Sequence, residues 1–360
     1  MHSRRNFTAT DARVQFETFD SSLEERREEK LVFKFIQRMD FSELEHHLHA
    51  TRDRFNVQSI FDKSGYSPIH YAAYKNIEKA VEILINFALF DQHDSRSAPL
   101  GEEAPEVRAK REKARKMRKQ QLRSWVNTHS RGDDGFTALH FAAFHGNMSL
   151  IRLLVRNGAN VNAQNRQGIN MLHVAAQGDQ PVSLAYFLEK GLKINSTDMR
   201  QSTPLHWAAF SGAELTLNYI IAWGGDLHAQ DCKGLTPLHL AVKSYKENRS
   251  TKGIKQLLIK GANRNTMDHE TKKPVDYVPL PVDGGKPDAL VLEIRKLLRD
   301  EWTLFGDCLM IRTTFKKQVK SPFTLICYFL LMGVSFGLLQ TSSYKILRVA
   351  GDFEWLLWAS

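Results

Sequence analysis

The sequence predicts an all-α solenoid of stacked helix-turn-helix repeats, followed by a C-terminal transmembrane helix. The first observation behind this prediction is a short phrase around a histidine, whose last four copies recur every 33 residues. The second is an uncharged apolar run of eighteen residues, 323–340. A fixed period in the thirties indicates stacked repeats, and an apolar run of that length indicates a membrane span.

The recurring phrase carries the signals that begin a short helix. In its fullest form it reads Thr-Pro-Leu-His-x-Ala-Ala, as at residues 203–209. A Thr or Ser at the N-cap bonds an unpaired amide, and proline is tolerated at the first helical position. A glycine suited to a tight turn stands just before four of the copies, with Gln201 as the exception. The phrases are centred on His70, His140, His173, His206 and His239.

Each unit continues into a second, apolar helix. In the second unit Leu150, Ile151 and Leu154 cover an arc too wide for one pair of helices to bury, so neighbouring units must cover it. The paired alanines of the phrase let adjacent helices approach closely. A glycine that follows the histidine by eighteen residues in three units is placed to end the second helix.

The phrase and its period resemble the ankyrin repeat. The resemblance covers about residues 55–280 and implies an ankyrin-repeat solenoid, in which helix-turn-helix repeats with hairpin loops present a concave protein-binding surface. Five copies of one catalytic base would have no single substrate to serve. We therefore interpret the five histidines as structural residues of the repeat motif rather than as catalytic groups.

Composition and motif content argue against an enzyme. No nucleotide-binding, serine-hydrolase or zinc-protease signature and no CxxC pair occurs, so we expect no catalytic residue, cofactor or metal site. The histidines at 46, 47 and 49 lack a completing carboxylate or cysteine and fit a solvated helix face better than a metal site. The chain has only three cysteines, an odd and low number, and no signal peptide is evident. Both features favour a location on the cytosolic side of a membrane.

The composition changes along the chain define the expected domains. A degenerate capping repeat at residues 28–60 is expected to open the array, and a partial repeat is expected to close it. The predicted organisation is a disordered N-terminus at 1–27, an array at 28–300 with a basic insertion at about 90–130, a basic linker at 301–322, the span at 323–340, and a short tail or the start of a second span at 341–360.

The insertion separates the first two phrases and carries most of the net charge. Between residues 108 and 123 nine cations face only Glu112, which gives +8 of the total +10. The stretch fits a surface loop or a solvated helix. Nucleic acid suits such a run in isolation, but it is a less suitable partner for a membrane protein than anionic lipid headgroups. The residues expected to contact headgroups are Arg108, Lys110, Arg111, Lys113, Arg115, Lys116, Arg118 and Lys119.

The apolar run determines the predicted location. Four cations precede it between residues 312 and 320, whereas only Lys345 and Arg348 follow, so the positive-inside rule places the array in the cytosol of a single-pass protein. The alternative is that residues 323–340 form a buried helix of a soluble scaffold. That alternative predicts a protein that needs no detergent.

The layout also resembles the N-terminal half of the ankyrin-bearing palmitoyltransferases, which are protein S-acyltransferases. The runs at residues 223–239 and 261–264 look like repeats of that family. The catalytic Asp-His-His-Cys motif of that family is absent, so no catalytic residue carries over. The resemblance implies that the array recruits protein substrates and that the chain is part of a longer enzyme. Ankyrin-bearing channels share the layout but need more spans.

The leading hypothesis is a membrane-anchored ankyrin adaptor that binds a protein partner. By matching positions in successive repeats, partner contacts are expected at the hairpin tips and at the ends of the first helices. Some of the aromatic residues among them are alternatively contacts between repeats. The expected contact residues are Tyr74, Lys75, Asp133, Asp134, Phe144, His145, Arg166, Gln177, Met199, Arg200, Phe210, Ser211, Lys233, Lys243 and Ser244.

Overall fold

The computed structural model describes residues 27–51, 56–89, 105–279 and 288–299. Every regular element in these ranges is helical, which confirms the predicted all-α class for the described part of the chain. In chain order the helices are α1 (Arg27–Arg38), α2 (Phe41–Ala50), α3 (Pro68–Tyr74), α4 (Glu78–Leu89), α5 (Pro105–Val126), α6 (Ala138–His145), α7 (Met148–Arg156), α8 (Met171–Gln177), α9 (Pro181–Glu189), α10 (Pro204–Ser211), α11 (Glu214–Ala222), α12 (Pro237–Lys243), α13 (Tyr245–Asn248), α14 (Lys252–Ile259), a 3-10 helix (Pro274–Tyr277) and α15 (Ala289–Leu298).

Five helix pairs repeat along the described chain. The first helices of the pairs, α3, α6, α8, α10 and α12, carry the five histidine phrases. Their partners are α4, α7, α9, α11 and α14, and each pair packs against the next. Helices α1 and α2 precede them at the position of the predicted capping repeat, and the 3-10 helix and α15 follow.

The first helix of a pair is short because it is capped at both ends. In α6 the Thr137 side chain and the His140 ring close a capping box, and the helix ends at Gly146 with φ of 72°. Helix α10 ends in the same way at Gly212, with φ of 71°. A left-handed residue at this point suits glycine and turns the chain back at once into the second helix.

The core lies between the stacked pairs rather than at one centre. The paired alanines of the phrase, such as Ala175 and Ala176, are fully buried where α8 packs on α6 and α10. Large residues of the second helices, such as Leu154 and Phe187, are also fully buried. Each repeat therefore completes the core of its neighbour, as expected for a solenoid.

Hairpin loops connect successive repeats through backbone hydrogen bonds. One amide of each loop donates to a carbonyl of the loop before it. The N···O distances are 2.7 Å for Arg131 to Gly65, 3.2 Å for Arg166 to Asp134, 2.9 Å for Met199 to Gln167, 2.8 Å for Cys232 to Arg200 and 3.0 Å for His269 to Lys233. These bonds fix the register of neighbouring hairpin tips.

The basic insertion does not separate the first two repeats. A Cβ atom on Gly65 would lie 2.6 Å from the Gly132 nitrogen, so the two hairpins touch across the insertion. Helix α5 lies within the insertion. Its last turns return to the array, since Leu122, Trp125 and Val126 are buried.

The N-terminal and C-terminal regions of the predicted organisation lie outside the described residues. These are the N-terminal segment up to residue 26 and all positions from residue 300 onward, including the predicted span at 323–340. Among the helices that the structure describes, none combines the length and apolarity needed to cross a membrane.

Candidate partner-binding surface

The five phrase histidines connect neighbouring repeats. Each ring lies at the start of a first helix, where its Nδ1 accepts the amide of the N-cap residue in four of the repeats, as from Thr137 to His140 at 3.1 Å. Its Nε2 then carries the proton and donates to a carbonyl of the next repeat. The Nε2···O distances are 2.8 Å for His70 to Thr128, 3.1 Å for His140 to Ile169, 3.1 Å for His173 to Ser202, 3.0 Å for His206 to Leu235 and 3.2 Å for His239 to Lys272.

Burial keeps these rings neutral. It lowers the pKa of His70 and of His173 to about 4, and that of His140 to about 3. Burial also lowers the pKa of His206 and of His239. Neutral rings with both nitrogens bonded have neither a free lone pair nor access to a substrate. The geometry gives them a structural task between repeats.

The hairpin carboxylates are likewise used by the fold. Oδ1 of Asp198 accepts the amides of Arg200 and Ser202, both at 2.8 Å. Asp231 and Asp268 accept the amides two and four residues ahead in the same way. All three carboxylates are buried. The acids of these hairpins therefore shape the turns and leave the cations of the same hairpins at the surface.

The expected contact residues differ in how much surface they offer. Asp133, Arg166, Met199, Arg200, Lys233 and Lys243 are exposed, and Met199 is 74% exposed. The others, which lie at the ends of the first helices, are half-buried: Tyr74, Lys75, Phe144, His145, Gln177, Phe210 and Ser211.

Two of the expected contact residues are buried, and their prediction as contacts is corrected. Asp134 is 6% exposed, because the Arg166 hairpin covers its backbone, and burial raises its pKa to about 6. Ser244 is 1% exposed, because the extra turn α13 folds over it and Asn248 Nδ2 donates to its hydroxyl at 2.9 Å. Neither side chain presents surface to a partner.

Some of the half-buried residues bind a neighbouring repeat. His145 Nε2 lies 2.6 Å from the carbonyl oxygen of Tyr74, and burial lowers the pKa of His145. The Ser211 hydroxyl is used within its own helix, where it donates to the Trp207 carbonyl at 2.9 Å. The geometry therefore shows that His145 makes a contact between repeats, which was the alternative to partner contact.

Sequence reasoning missed two aromatic residues on this surface. Trp207 Nε1 donates to Asp198 Oδ2 at 3.1 Å, and the Tyr277 hydroxyl donates to Asp268. The ammonium of Lys243 lies 4.6 Å from the centroid of the Tyr277 ring. Both rings stand one position after the histidine column of the phrase, which is the signal that identifies them. They hold the hairpin against the first helix.

Helix α5 exposes its cations but has no apolar face. The side chains from Arg108 to Gln121 are exposed or half-exposed, and Met117 is their one large hydrophobic residue. Lys116 pairs with Glu112 at 3.0 Å, on the surface. Amphipathic helices that insert into a bilayer need a broad apolar face. Contact of α5 with lipid would therefore be electrostatic.

A metal site is not formed by the described residues. No group of three or more His, Cys, Asp or Glu side chains in the described ranges is arranged to hold an ion. The rings of His47 and His49 instead pack edge-on against Phe35 and Phe87.

Comparison with known proteins identifies the repeats. A family model described as "Ankyrin repeats (3 copies)" matches residues 109–198 and 183–268. No curated protein gives a match. The two matched ranges cover four of the histidine phrases, and the first phrase lies outside them. The chain therefore contains ankyrin repeats.

Proposed function

We propose that this chain is an adaptor that binds a protein partner through the concave side of its ankyrin array. Ankyrin repeats mediate protein–protein interaction, and solenoid curvature creates extended binding surfaces. The single observation that carries the proposal is the line of exposed side chains on successive hairpin tips, with Met199 at its centre. Large exposed hydrophobic residues flanked by polar ones are typical of interfaces.

Photo-crosslinking tests this proposal in the full-length chain. A benzophenone amino acid at Met199 is expected to capture a protein in cells, because the hairpin tip would lie against the partner. The same group at Lys193, an exposed position in the loop after α9, serves as the control. Capture of the same proteins at both positions, or of none at Met199, would contradict partner binding by this surface.

We also propose that residues 323–340 anchor the array on the cytosolic side of a membrane. The support is the uncharged sequence of this segment and the excess of cations before it. Alkaline extraction of membranes tests the anchor. The full-length chain should stay with the membrane, and a variant with Leu330→Arg and Leu331→Arg should be released. A chain that is already released without substitution would support the soluble scaffold instead.

Contact between α5 and anionic headgroups is part of the same proposal. The exposed cations of α5 support it, since each basic residue near an anionic surface adds about 1 kcal/mol. The variant with Leu330→Arg and Leu331→Arg should float with phosphatidylserine vesicles in a density gradient. Reversal of four α5 charges in this variant should abolish its flotation. Equal retention on neutral phosphatidylcholine vesicles would contradict it.

The second candidate function is substrate recruitment for a protein S-acyltransferase. Its support is the resemblance of residues 223–239 and 261–264 to repeats of that family. It predicts that the transcript continues in frame beyond the codon for Ser360 into an Asp-His-His-Cys domain. Sequencing of the transcript tests this, and an immediate stop codon would remove the enzymatic candidate.

A further inference from the structure

The C-terminal half of the binding surface carries a row of cations on neighbouring repeats. We call this row the cationic lane and define it as Arg166, Arg200, Lys233, Lys243 and Lys272. Four of these residues lie on hairpins, and Lys243 ends α12. All five side chains are exposed. On the N-terminal side of the lane the preceding hairpin exposes both Arg131 and Asp133.

Backbone bonds hold the lane residues in fixed order. Three backbone bonds join the hairpins in sequence, with N···O distances of 2.8 to 3.0 Å. The Met199 amide donates to the carbonyl of Gln167, which follows Arg166. The Cys232 amide donates to the Arg200 carbonyl, and the His269 amide donates to the Lys233 carbonyl. A segment lying along the tips therefore meets a cation on each of three successive hairpins, at Arg166, Arg200 and Lys233. Such fixed spacing suits an extended chain better than a compact ligand.

The nearby carboxylates offset this charge only in part, and most of them are not accessible to a partner. Asp198, Asp231 and Asp268 are buried and bonded to backbone amides. Glu270 is exposed and pairs with Lys272 at 2.7 Å, so the cations of the lane that do not share this pair are Arg166, Arg200, Lys233 and Lys243. Among the described residues no carboxylate lies within ion-pair distance of Lys233 or Lys243. Burial, and next the charge of Lys233, lower the pKa of Lys243, whereas the charges of Asp231, Asp268 and Glu270 act in the opposite direction.

An apolar side chain lies beside the lane. Met199 has the largest exposed fraction, 74%, among the large hydrophobic residues that the structure describes. It directly precedes Arg200 on the hairpin tip, and Phe210 at the end of the same first helix is half-exposed. Methionine adapts its shape to different apolar partners.

We propose that the cationic lane binds an acidic segment of a protein, with an aliphatic or aromatic side chain of that segment placed against Met199. This inference rests on the proposed function and names the chemistry of the partner. Opposite charges at each repeat set the register of the segment, and the apolar contact adds affinity that salt does not screen.

Nucleic acid fits the lane less well. Single-stranded nucleic acid is held by aromatic faces on which the bases stack. The Trp207 indole is held by Asp198, and the Lys243 ammonium covers the Tyr277 ring. The Lys243 ammonium therefore takes the face of the Tyr277 ring that a base would need, and the Trp207 indole is fixed by its bond to Asp198.

A labelled peptide in which glutamates flank a single leucine is the probe for this proposal. Fluorescence anisotropy with the full-length chain in mild detergent should show binding that weakens with salt, and the matched glutamine peptide should bind at least about tenfold more weakly. Lys233→Glu with Lys243→Glu should weaken binding of the acidic peptide about tenfold or more. Lys193→Glu with Lys260→Glu, an equal charge change on exposed loop positions, should leave binding within about twofold.

Met199→Ser separates the apolar contact from the charges. It should weaken binding severalfold while the salt dependence stays the same. Equal affinity for the acidic and glutamine peptides, equal effects of the two double variants, or tighter lane-dependent binding of labelled poly(U) would each overturn the acidic partner. If the crosslink at Met199 persists in any of these cases, only the acidic chemistry of the partner is overturned and the adaptor function stands. If the crosslink at Met199 is also absent, the adaptor function is overturned as well.

Discussion

The repeats and helix α5 are both helical, yet different forces hold them. In the repeats from His140 to His239 each helix is covered by its neighbours, and its caps and histidines are bonded across the repeat boundary. In α5 only the last turns are covered, and the rest is surrounded by solvent and charge. The comparison teaches that the array depends on packing between repeats, whereas most of α5 depends on intrinsic helix propensity.

Removal of a buried ring should show the dependence on packing most strongly. Phe187 in α9 is fully buried between repeats, so Phe187→Ala should lower the free energy of unfolding by about 3 to 5 kcal/mol. Urea denaturation followed by circular dichroism measures it. Met117→Ala in α5, where the side chain is 55% exposed, is the control and should change the free energy by less than about 0.5 kcal/mol. Equal losses would contradict the comparison.

Acid should destabilise the array through its histidines. The folded pKa values of His70, His140 and His173 are about 3 to 4, below the ordinary value of 6.5, and burial also lowers those of His206 and His239. The unfolded chain therefore binds more protons as pH falls below 6.5. Asp62 and Asp134 act in the opposite sense, since burial raises their pKa values to about 6. Asp198 acts in the same sense as these two acids, but the five rings together with His145 outweigh the three carboxylates. We expect a loss of about 3 kcal/mol between pH 7 and pH 4.

Urea denaturation across this pH range measures the loss. Asp62→Asn should make the decline steeper, because it removes one of the three compensating carboxylates. Stability that stays constant from pH 7 to pH 4 would show that the rings are not held neutral.

Loss of one histidine should have a smaller effect. His173→Ala leaves the Asn170 amide and the Ser202 carbonyl without their ring partner, and should lower the free energy of unfolding by about 2 kcal/mol. It should also reduce by about one the number of protons taken up on unfolding in acid, so the free energy of unfolding falls less steeply with pH. His129→Ala removes an exposed hydrogen bond to Gln164 and is the matched control. A control effect as large as that of His173→Ala would argue against the buried bonds.

A glycine in α5 should have the smallest effect. Ala114→Gly should weaken the exposed turns of α5 by about 1 kcal/mol, because glycine is a poor helix former. Hydrogen exchange is expected to accelerate for amides near residue 114 and to stay unchanged in α8 and α10. Faster exchange in those array helices would mean that α5 supports the array after all.

The phrase predicted the repeats because its signals are local. The N-cap, the proline and the histidine lie within four residues, and the capping bonds they make recur in the four units from His140 to His239. The burial of Asp134 and Ser244 was not predictable in this way. It depends on a neighbouring hairpin and on α13, a turn that the other repeats lack.

The end of α5 shows the same limit. Asn127 Nδ2 donates to the Gly158 carbonyl at 2.8 Å, and its Oδ1 accepts the Asn160 amide at 2.6 Å. Asn195 makes the corresponding pair of bonds to Gly224 and Asp226 in a regular repeat. Charge dominates the sequence of the insertion, so nothing local indicates that its last turns pack as part of a repeat.

The unbroken contact between the first two repeats has a consequence for the order of folding. The bond from His70 spans 58 residues of chain, whereas that from His140 spans 29. Each doubling of a closed loop costs about 0.6 kcal/mol of chain entropy. The boundary between the His70 and His140 repeats is therefore the slowest to close. Nucleation should begin among the repeats on its C-terminal side, and the N-terminal repeat should dock onto them last.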